Sequence, residues 1–494
     1  MEWTKEERYK RIEDVSNTYM TELIQKVTEG PYRQKFHIQP KTGLLNDPNG
    51  FSYYNGQYHL FYQWFPLGPV HGVKYWYHMV SNNLVDWEDQ GIALEPDTKY
   101  DSHGVFSGTG FVKDDQLHLF YTGNTRTENW IRVPYQCHAV MGRDNQIKKS
   151  QKPLIIDSPE GYTDNFRDPK IIEQEERYYC IIGAETSNHQ GAIAYYVSDD
   201  LEKWTYQQAI ELKGNISSEN KGFMWECPDY FELNHQGVLL FSPQGMKEDG
   251  DKYQNIYQSG YLLGTPLDFA TGIFHVTENF KELDRGFDFY APQTMTDPNG
   301  RQLLVGWLGL PGVDCVTDEF GWAHCLTIPR EISIQNGKLH QKPVSELALL
   351  RGKKNTVEME LENEAVTVKN FSARTYELQV TFSNLSGSYV SLSFRMGEKE
   401  VTNFYYDRIE KKLVFNRSQS GETATAEFGS IRKCDFSEEE LDIQLFMDES
   451  SVEIFVNDGL EVFTSRLYSQ VDHNQIQFYT KGHATVTAIQ WEIN

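Results

Sequence analysis

The chain has 494 residues, a formal net charge of -25 and a hydrophobic fraction of 39%. That charge argues against a nucleic-acid partner, which needs a concentrated basic surface, and no segment is apolar enough to read as a membrane span. Neutral polyols remain compatible ligands, and the 14% of aromatic residues supplies flat apolar faces of the kind sugars pack against, although large β-cores consume aromatics too.

The first thirty residues contain no glycine before Gly30 and mix charges throughout, which predicts an amphipathic helix from about Thr4 to Val27 within an N-terminal extension, 1–30. Glu6, Glu7, Arg8 and Lys10 interrupt any apolar run, so the segment does not read as a secretory signal, and a cytoplasmic protein is expected. Such a helix is expected to cover the edge of its own scaffold or to sit in a homo-oligomer contact.

From there a phrase recurs five times at intervals of 60, 61, 58 and 65 residues, at Asp47-Pro48, Ser107-Gly108, Asp168-Pro169, Glu226-Cys227-Pro228 and Ala291-Pro292. Each copy leads into an apolar strand, a polar turn and a second apolar strand. The turns are Asn55-Gly56, Asp114-Asp115, Glu175-Glu176, the stretch Asn234 to Gly237, and Asn299-Gly300. A second repeat, Ser81 to Trp87, returns 117 residues later as Ser198 to Trp204, close to two periods. Several short strands per period of about 60 residues predict a β-propeller over 31–345, whose equivalent positions converge on a central channel. The three acidic copies are expected to place Asp47, Asp168 and Glu226 at one shared slot. Asp297-Pro298-Asn299-Gly300 repeats the tetrapeptide at 47–50 but falls between two strands of the fifth unit, so it reads as a turn.

Beyond a linker over 341–355 the pattern changes to alternating strands such as Tyr376 to Val380 and Val452 to Val456, with turns like Asn457-Asp458-Gly459. This predicts a C-terminal β-sandwich over 346–494, and the fold class is all-β. The six cysteines fall singly and are expected to be reduced thiols; no histidine spacing suits a metal, so neither metal nor cofactor is expected.

Cleavage of a glycosidic bond needs one carboxylic acid to protonate the leaving oxygen and a second carboxylate on the other side. Glu226, between Trp225 and Cys227, is the expected acid, with Asp47 the ionised nucleophile. Asp168 is expected to be kept charged by its neighbour Arg167 and to grip substrate hydroxyls. Trp64, Trp76 and Trp322 lie beside the motifs as candidate sugar platforms.

These residues resemble glycoside hydrolase family 32, the invertases, fructanases and sucrose-6-phosphate hydrolases. The marks run through nearly the whole chain: Leu45 to Gly50, Gln63-Trp64-Phe65, Phe106-Ser107-Gly108, Phe166 to Pro169, Trp225 to Asp229, Gly321 to His324 and Ser451 to Gly459. The resemblance implies a five-bladed propeller followed by a sandwich, and a retaining β-fructofuranosidase acting at C2 of a fructofuranosyl unit. Asp47 would be the nucleophile, Glu226 the acid/base and Asp168 the transition-state stabiliser. Leu44, Leu45, Asn46, Gln63, Trp64, Phe106, Ser107, Arg167 and Trp322 would contact substrate. Retention implies carboxyls of Asp47 and Glu226 roughly 5 to 5.5 Å apart. One departure is Trp76-Tyr77-His78 where the family commonly has Trp-Gly-His, and Tyr77 is expected to narrow the leaving-group region.

Members of the family that lack an export signal point to sucrose 6-phosphate or sucrose as substrate. A phosphate needs local donors, and Arg126, Arg132 and His103 lie in a suitable stretch. Short fructo-oligosaccharides and fructosyl transfer are the alternative activities, and a non-catalytic sugar-binding propeller is disfavoured by the three carboxylates together.

Overall fold

The computed structural model describes residues 3–214, 221–423 and 427–493. Five mainly antiparallel sheets follow one another in sequence and form the five blades of a propeller. Their innermost strands are Gly43–Tyr54, Val105–Lys113, Tyr162–Gln174, Met224–Leu233 and Tyr290–Thr296. The turns that close four of the inner hairpins have two consecutive residues at positive φ: Asn55 and Gly56, Asp114 and Asp115, Glu175 and Glu176, Asn234 and His235. This mirror-image geometry matches the twist of the flanking strands. Asp297 to Gly300 forms the fifth turn. The Asp297 Oδ1 accepts from the N–H groups of Asn299 and Arg301, which makes that copy of the tetrapeptide a structural turn.

The 117-residue repeat is one turn built twice between the third and fourth strands of blades 1 and 3. Leu84 and Leu201 share φ 64°, and the indole N–H groups of Trp87 and Trp204 donate to the carbonyls of Leu84 and Leu201, both at 3.1 Å. The ring of blades closes where Gly43 and Leu44 pair in parallel with Trp322 and Ala323.

The C-terminal region is a curled sheet folded into a sandwich. Its two longest strands, Tyr376–Met396 and Gln475–Glu492, pair along their length with three register shifts that let them bend between the layers. Phe382, Leu392, Phe404, Phe463 and Phe478 fill the space between. Propeller and sandwich share a buried ionic seam. His37 lies between Asp448 at 2.7 Å and Glu453 at 3.0 Å, and Arg330 pairs with Glu453 at 2.6 Å and Asp284 at 3.2 Å.

The N-terminal extension differs from the single expected helix. It comprises a short helix Lys5–Arg8, a 3-10 turn Ile12–Asp14 and a helix Asn17–Glu29. Thr4 and Ser16 cap the two helices. The break has a tertiary cause: the Val73 N–H donates to the Arg8 carbonyl at 2.7 Å, and the Ile12 N–H donates to the Tyr75 hydroxyl, so the chain is held extended across blade 1.

Candidate active site

Every innermost strand carries a bulge at the same depth, where two residues oppose one on the neighbouring strand. They are Asn46 and Asp47 opposite Gln63, Phe106 and Ser107 opposite Thr122, Asp168 and Pro169 opposite Ile182, Cys227 and Pro228 opposite Phe241, and Ala291 and Pro292 opposite Gly306. A bulge bends its strand and re-aims side chains, here toward the channel. Asp168, Cys227 and Ala291, the first bulged residues of blades 3 to 5, all have positive φ, and each precedes a proline.

This register corrects the expectation of one shared slot for the three carboxylates. Asp47 is the second residue of its bulge, Asp168 is the first, and Glu226 stands immediately before its bulge. They occupy three successive offsets, so their carboxyls approach one another from different heights. Contacts between blades run along matching offsets. Ser107 Oγ donates to Asp47 Oδ2 at 2.5 Å, second residue to second residue. The Cys227 N–H donates to Asp168 Oδ2 at 3.0 Å, first to first. At the offset before the bulge, Arg167 donates twice to Glu226 Oε1, at 2.6 and 3.0 Å, and the Tyr290 hydroxyl donates to Glu226 Oε2 at 2.7 Å.

A relay fixes Asp47. Gln63 Nε2 donates to Ser107 Oγ at 2.5 Å, Asn46 Nδ2 donates to Gln63 Oε1 at 2.8 Å, and Asn46 Nδ2 also reaches Asp47 Oδ1 at 3.2 Å. Burial pushes the Asp47 carboxyl above the usual carboxylate range; Ser107 and Asn46 oppose the shift by hydrogen bonding, and the charge of Glu226 adds to it. Burial likewise raises Asp168 to about 7. Arg167 opposes this, while Glu226 and Asp47 reinforce it. Arg167 thus favours the ionised form of Asp168, as expected, without cancelling the effect of burial, and its guanidinium hydrogen-bonds to Glu226. Glu226 is surrounded by donors, with Gln244 Nε2 a further one at 2.6 Å, and Trp225 turns away to stack on Phe241 at 4.4 Å.

Of the expected substrate contacts, Asn46, Gln63, Ser107 and Arg167 gather around the carboxylates, and Phe106 lies under Arg132, whose Cζ is 5.9 Å from the ring. Leu44, Leu45, Trp64 and Trp322 are fully buried, and Leu45 and Trp64 belong to the apolar core shared by blade 1, blade 5 and the sandwich. The three candidate platforms lack an open face. The Trp64 indole N–H donates to the Thr42 carbonyl, Trp76 is wedged between Phe61 and Tyr121, and Trp322 lies under the guanidinium groups of Arg33 and Arg466 at 4.7 and 5.1 Å. Tyr77 does not narrow the channel: its ring stacks on Tyr62 and its hydroxyl donates to Asp89 at 2.7 Å, which leaves it 3% exposed in the core.

The structure adds residues to which the sequence assigned no role in the site. Tyr290 and Gln244 hold Glu226, and Tyr290 stands at the same offset before its bulge as Glu226 and Arg167, a signal legible once the repeats are aligned by bulge. Lys74 is 3% exposed, its Nζ has no hydrogen-bond partner, and burial lowers its pKa to about 7 against the opposing pull of Asp47. Cys227 Sγ lies 3.8 Å from Asp47 Oδ2 and 3.6 Å from Asp168 Oδ2. Among the described residues no cluster of three or more His, Cys, Asp or Glu side chains is arranged to hold a metal ion.

Three clustered carboxylates on a five-bladed propeller with an attached sandwich define a glycoside hydrolase. The chain belongs to glycosyl hydrolases family 32: it matches the family's N-terminal domain over residues 37–343 and its C-terminal domain over residues 346–492. It is 43% identical to the sucrose-6-phosphate hydrolase of Staphylococcus xylosus, over 98% of this chain and 97% of that protein. The Bacillus subtilis sucrose-6-phosphate hydrolase is 38% identical, over 94% of each chain. Among solved structures, the sucrose-6-phosphate hydrolase of Lactobacillus gasseri superposes with a TM-score of 0.92 at 35% identity, covering 100% of this chain and 99% of that one. The family 32 β-fructofuranosidase of Bombyx mori superposes at 0.81 with 32% identity, covering 97% and 99%; a point mutant of it has been solved in complex with sucrose.

Proposed function

We propose that this family 32 enzyme, a β-fructofuranosidase, hydrolyses sucrose 6-phosphate and sucrose at the fructofuranosyl C2 with retention of configuration, and that Asp47, Glu226 and Asp168 carry out the reaction. The observation that supports the assignment is the different wiring of the three carboxylates. Asp47 is held by a short hydrogen bond from Ser107 and a longer one from Asn46, both of which favour its ionised form, which suits the nucleophile. Glu226 is ringed by Arg167, Gln244 and Tyr290, a set of donors that fixes it in one orientation for proton transfer. Asp168 keeps acceptor capacity beyond its bond from the Cys227 N–H, which suits a group that accepts sugar hydroxyls.

In the first step an Asp47 oxygen bonds to C2 as the bond from C2 to the glucosyl oxygen breaks, and that oxygen takes the proton of Glu226. In the second, water adds to C2, Glu226 takes its proton, and the ester to Asp47 breaks. Burial and the mutual charges of the cluster raise both Asp47 and Asp168, so the site disfavours three simultaneous negative charges. The sucrose-6-phosphate hydrolases among the relatives support a phosphorylated substrate, and with it a cytoplasmic enzyme that meets sugar already phosphorylated. Among the described residues no helix is long and apolar enough to cross a membrane. Comparing kcat/KM on sucrose 6-phosphate, sucrose, kestose and inulin, with product analysis at high sucrose, tests the reading. Equal efficiency on the first two would remove the phosphate preference, and oligosaccharide as the main product would replace hydrolysis with transfer.

A further inference from the structure

In blade 2, Arg126 and Arg132 face one another directly across the antiparallel ladder formed by Gln116–Arg126 and Arg132–Met141. Like charges directly opposed on a sheet are destabilising. Among the described residues neither guanidinium is ion-paired with a carboxylate; the Nε of each is buried without a partner, and Arg132 Nη1 donates to Asn165 Oδ1 at 2.7 Å. One further cation joins them. The exposed indole of Trp130, in the loop between the two strands, has Lys5 Nζ 3.0 Å from its ring centre and Arg126 Cζ at 5.7 Å. Tyr9 meets the same ring edge-on at 5.1 Å, and His103 lies at 5.4 Å. Within a chain of net charge -25, this concentration of positive charge, which Asp164 and Glu226 influence without forming an ion pair to Arg132, marks a place built for an anion.

Its position fits the reaction. Asn165 Oδ1 accepts from both Arg132 and Arg167, and Arg167 grips Glu226, so the cationic patch lies one side chain beyond the proton donor. Lys5 and Tyr9 come from the N-terminal extension, which Arg8, Arg11 and Ile12 fasten to blades 1 and 2 through the Val73 N–H, the Ser102 carbonyl and the Tyr75 hydroxyl.

We propose that Arg126, Arg132 and Lys5 form a clamp for the phosphate monoester of the leaving group, which makes the N-terminal extension part of the substrate site. The proposal rests on the reading of Glu226 as the acid and of a phosphorylated sugar as substrate. Guanidinium groups bind phosphate through charge-assisted hydrogen bonds, and the loss of one such contact corresponds to about a 10- to 100-fold change.

The test is the ratio of kcat/KM on sucrose 6-phosphate to that on sucrose, for the full-length wild type, Arg126→Gln and Lys5→Ala, with glucose 6-phosphate and glucose compared as inhibitors of sucrose hydrolysis. The ratio should fall about 10- to 100-fold in Arg126→Gln and by a smaller factor in Lys5→Ala, mainly through KM, and glucose 6-phosphate should lose its advantage over glucose as an inhibitor. Thermal melting of Arg126→Gln should not fall, because the substitution removes a like-charge repulsion. Ratios within about twofold of a wild type that itself prefers the phosphorylated sugar would overturn the clamp and leave the substrate assignment standing. A wild type without that preference would overturn both.

Discussion

The buried seam between propeller and sandwich makes stability depend on the charge of one histidine. His37 is fully enclosed, and burial alone would depress its pKa, but hydrogen bonds to Asp448 and Glu453 and their charges outweigh that and raise it to about 9. The partners agree. Asp448 and Glu453 are both held below the usual carboxylate range against burial, Asp448 chiefly by His37 and Glu453 by Arg330 and His37. In the unfolded chain the imidazole returns to its ordinary value near 6.5. A group whose pKa is raised on folding contributes stability that is fully present below the unfolded value and lost as pH rises through the folded one. The window therefore runs from about pH 6.5 to about pH 9, and the shift corresponds to about 3 kcal/mol. Urea unfolding followed by tryptophan fluorescence at about pH 6 and about pH 10, on wild type and His37→Gln, measures it. Wild type should exceed the variant by about 3 kcal/mol more at the lower pH than at the higher, with other alkaline titrations cancelling in the difference. A gap independent of pH would refute the claim that His37 is charged in the seam.

Asp47→Asn should retain the fold and lose at least about 10³-fold in kcat, and unchanged hydrolysis would remove Asp47 as the nucleophile. Tyr290→Phe deletes one donor to Glu226 and should lower kcat about tenfold with little change in KM, read from steady-state kinetics on sucrose. Because Asp168 must be ionised to accept sugar hydroxyls and burial raises it to about 7, kcat/KM should fall as pH drops below that value. Lys74→Met removes a cation that lowers the Asp47 pKa, so the acid limb of the pH profile should move upward; an unmoved limb would separate Lys74 from the site. Arg330→Met strands Glu453 and Asp284 in the seam and should cost about 3 to 5 kcal/mol in the urea experiment.

Much of the scaffold is legible from local chemistry, because propeller blades are built from contacts close in sequence. Asn55-Gly56 and Asp114-Asp115 specify their turns through residues that tolerate positive φ, and the pattern from Ser81 to Trp87 encodes a turn held by hydrogen bonds to Asn83 and Leu84 within it. The cluster of Asp47, Asp168 and Glu226 is legible for the same reason, since each acid belongs to a short motif on an inner strand. What is not legible depends on partners distant in sequence. Trp64, Trp76 and Tyr77 sit beside the motifs, yet their rings are enclosed by neighbouring strands and blades, and nothing local distinguishes an enclosed ring from an open platform. The N-terminal pattern is helical throughout, but a hydrogen bond from Val73 interrupts it.

The bulges explain how a symmetric scaffold holds an asymmetric triad. If all three carboxylates stood at one offset, each would meet the residues at that offset in the adjacent blades, and Asp168 and Glu226 would face each other directly as like charges. Shifting each acid by one position gives each a specific partner that offsets part of the remaining repulsion: serine for Asp47, a backbone N–H for Asp168, and arginine and tyrosine for Glu226. The alternation of Asp-Pro motifs hides this shift, because Pro48 follows its bulge whereas Pro169 lies within it. A bulge is a relation between two strands, so the chain's repeat can be counted in sequence while the offset that gives each acid its hydrogen-bond partners is defined only by pairing.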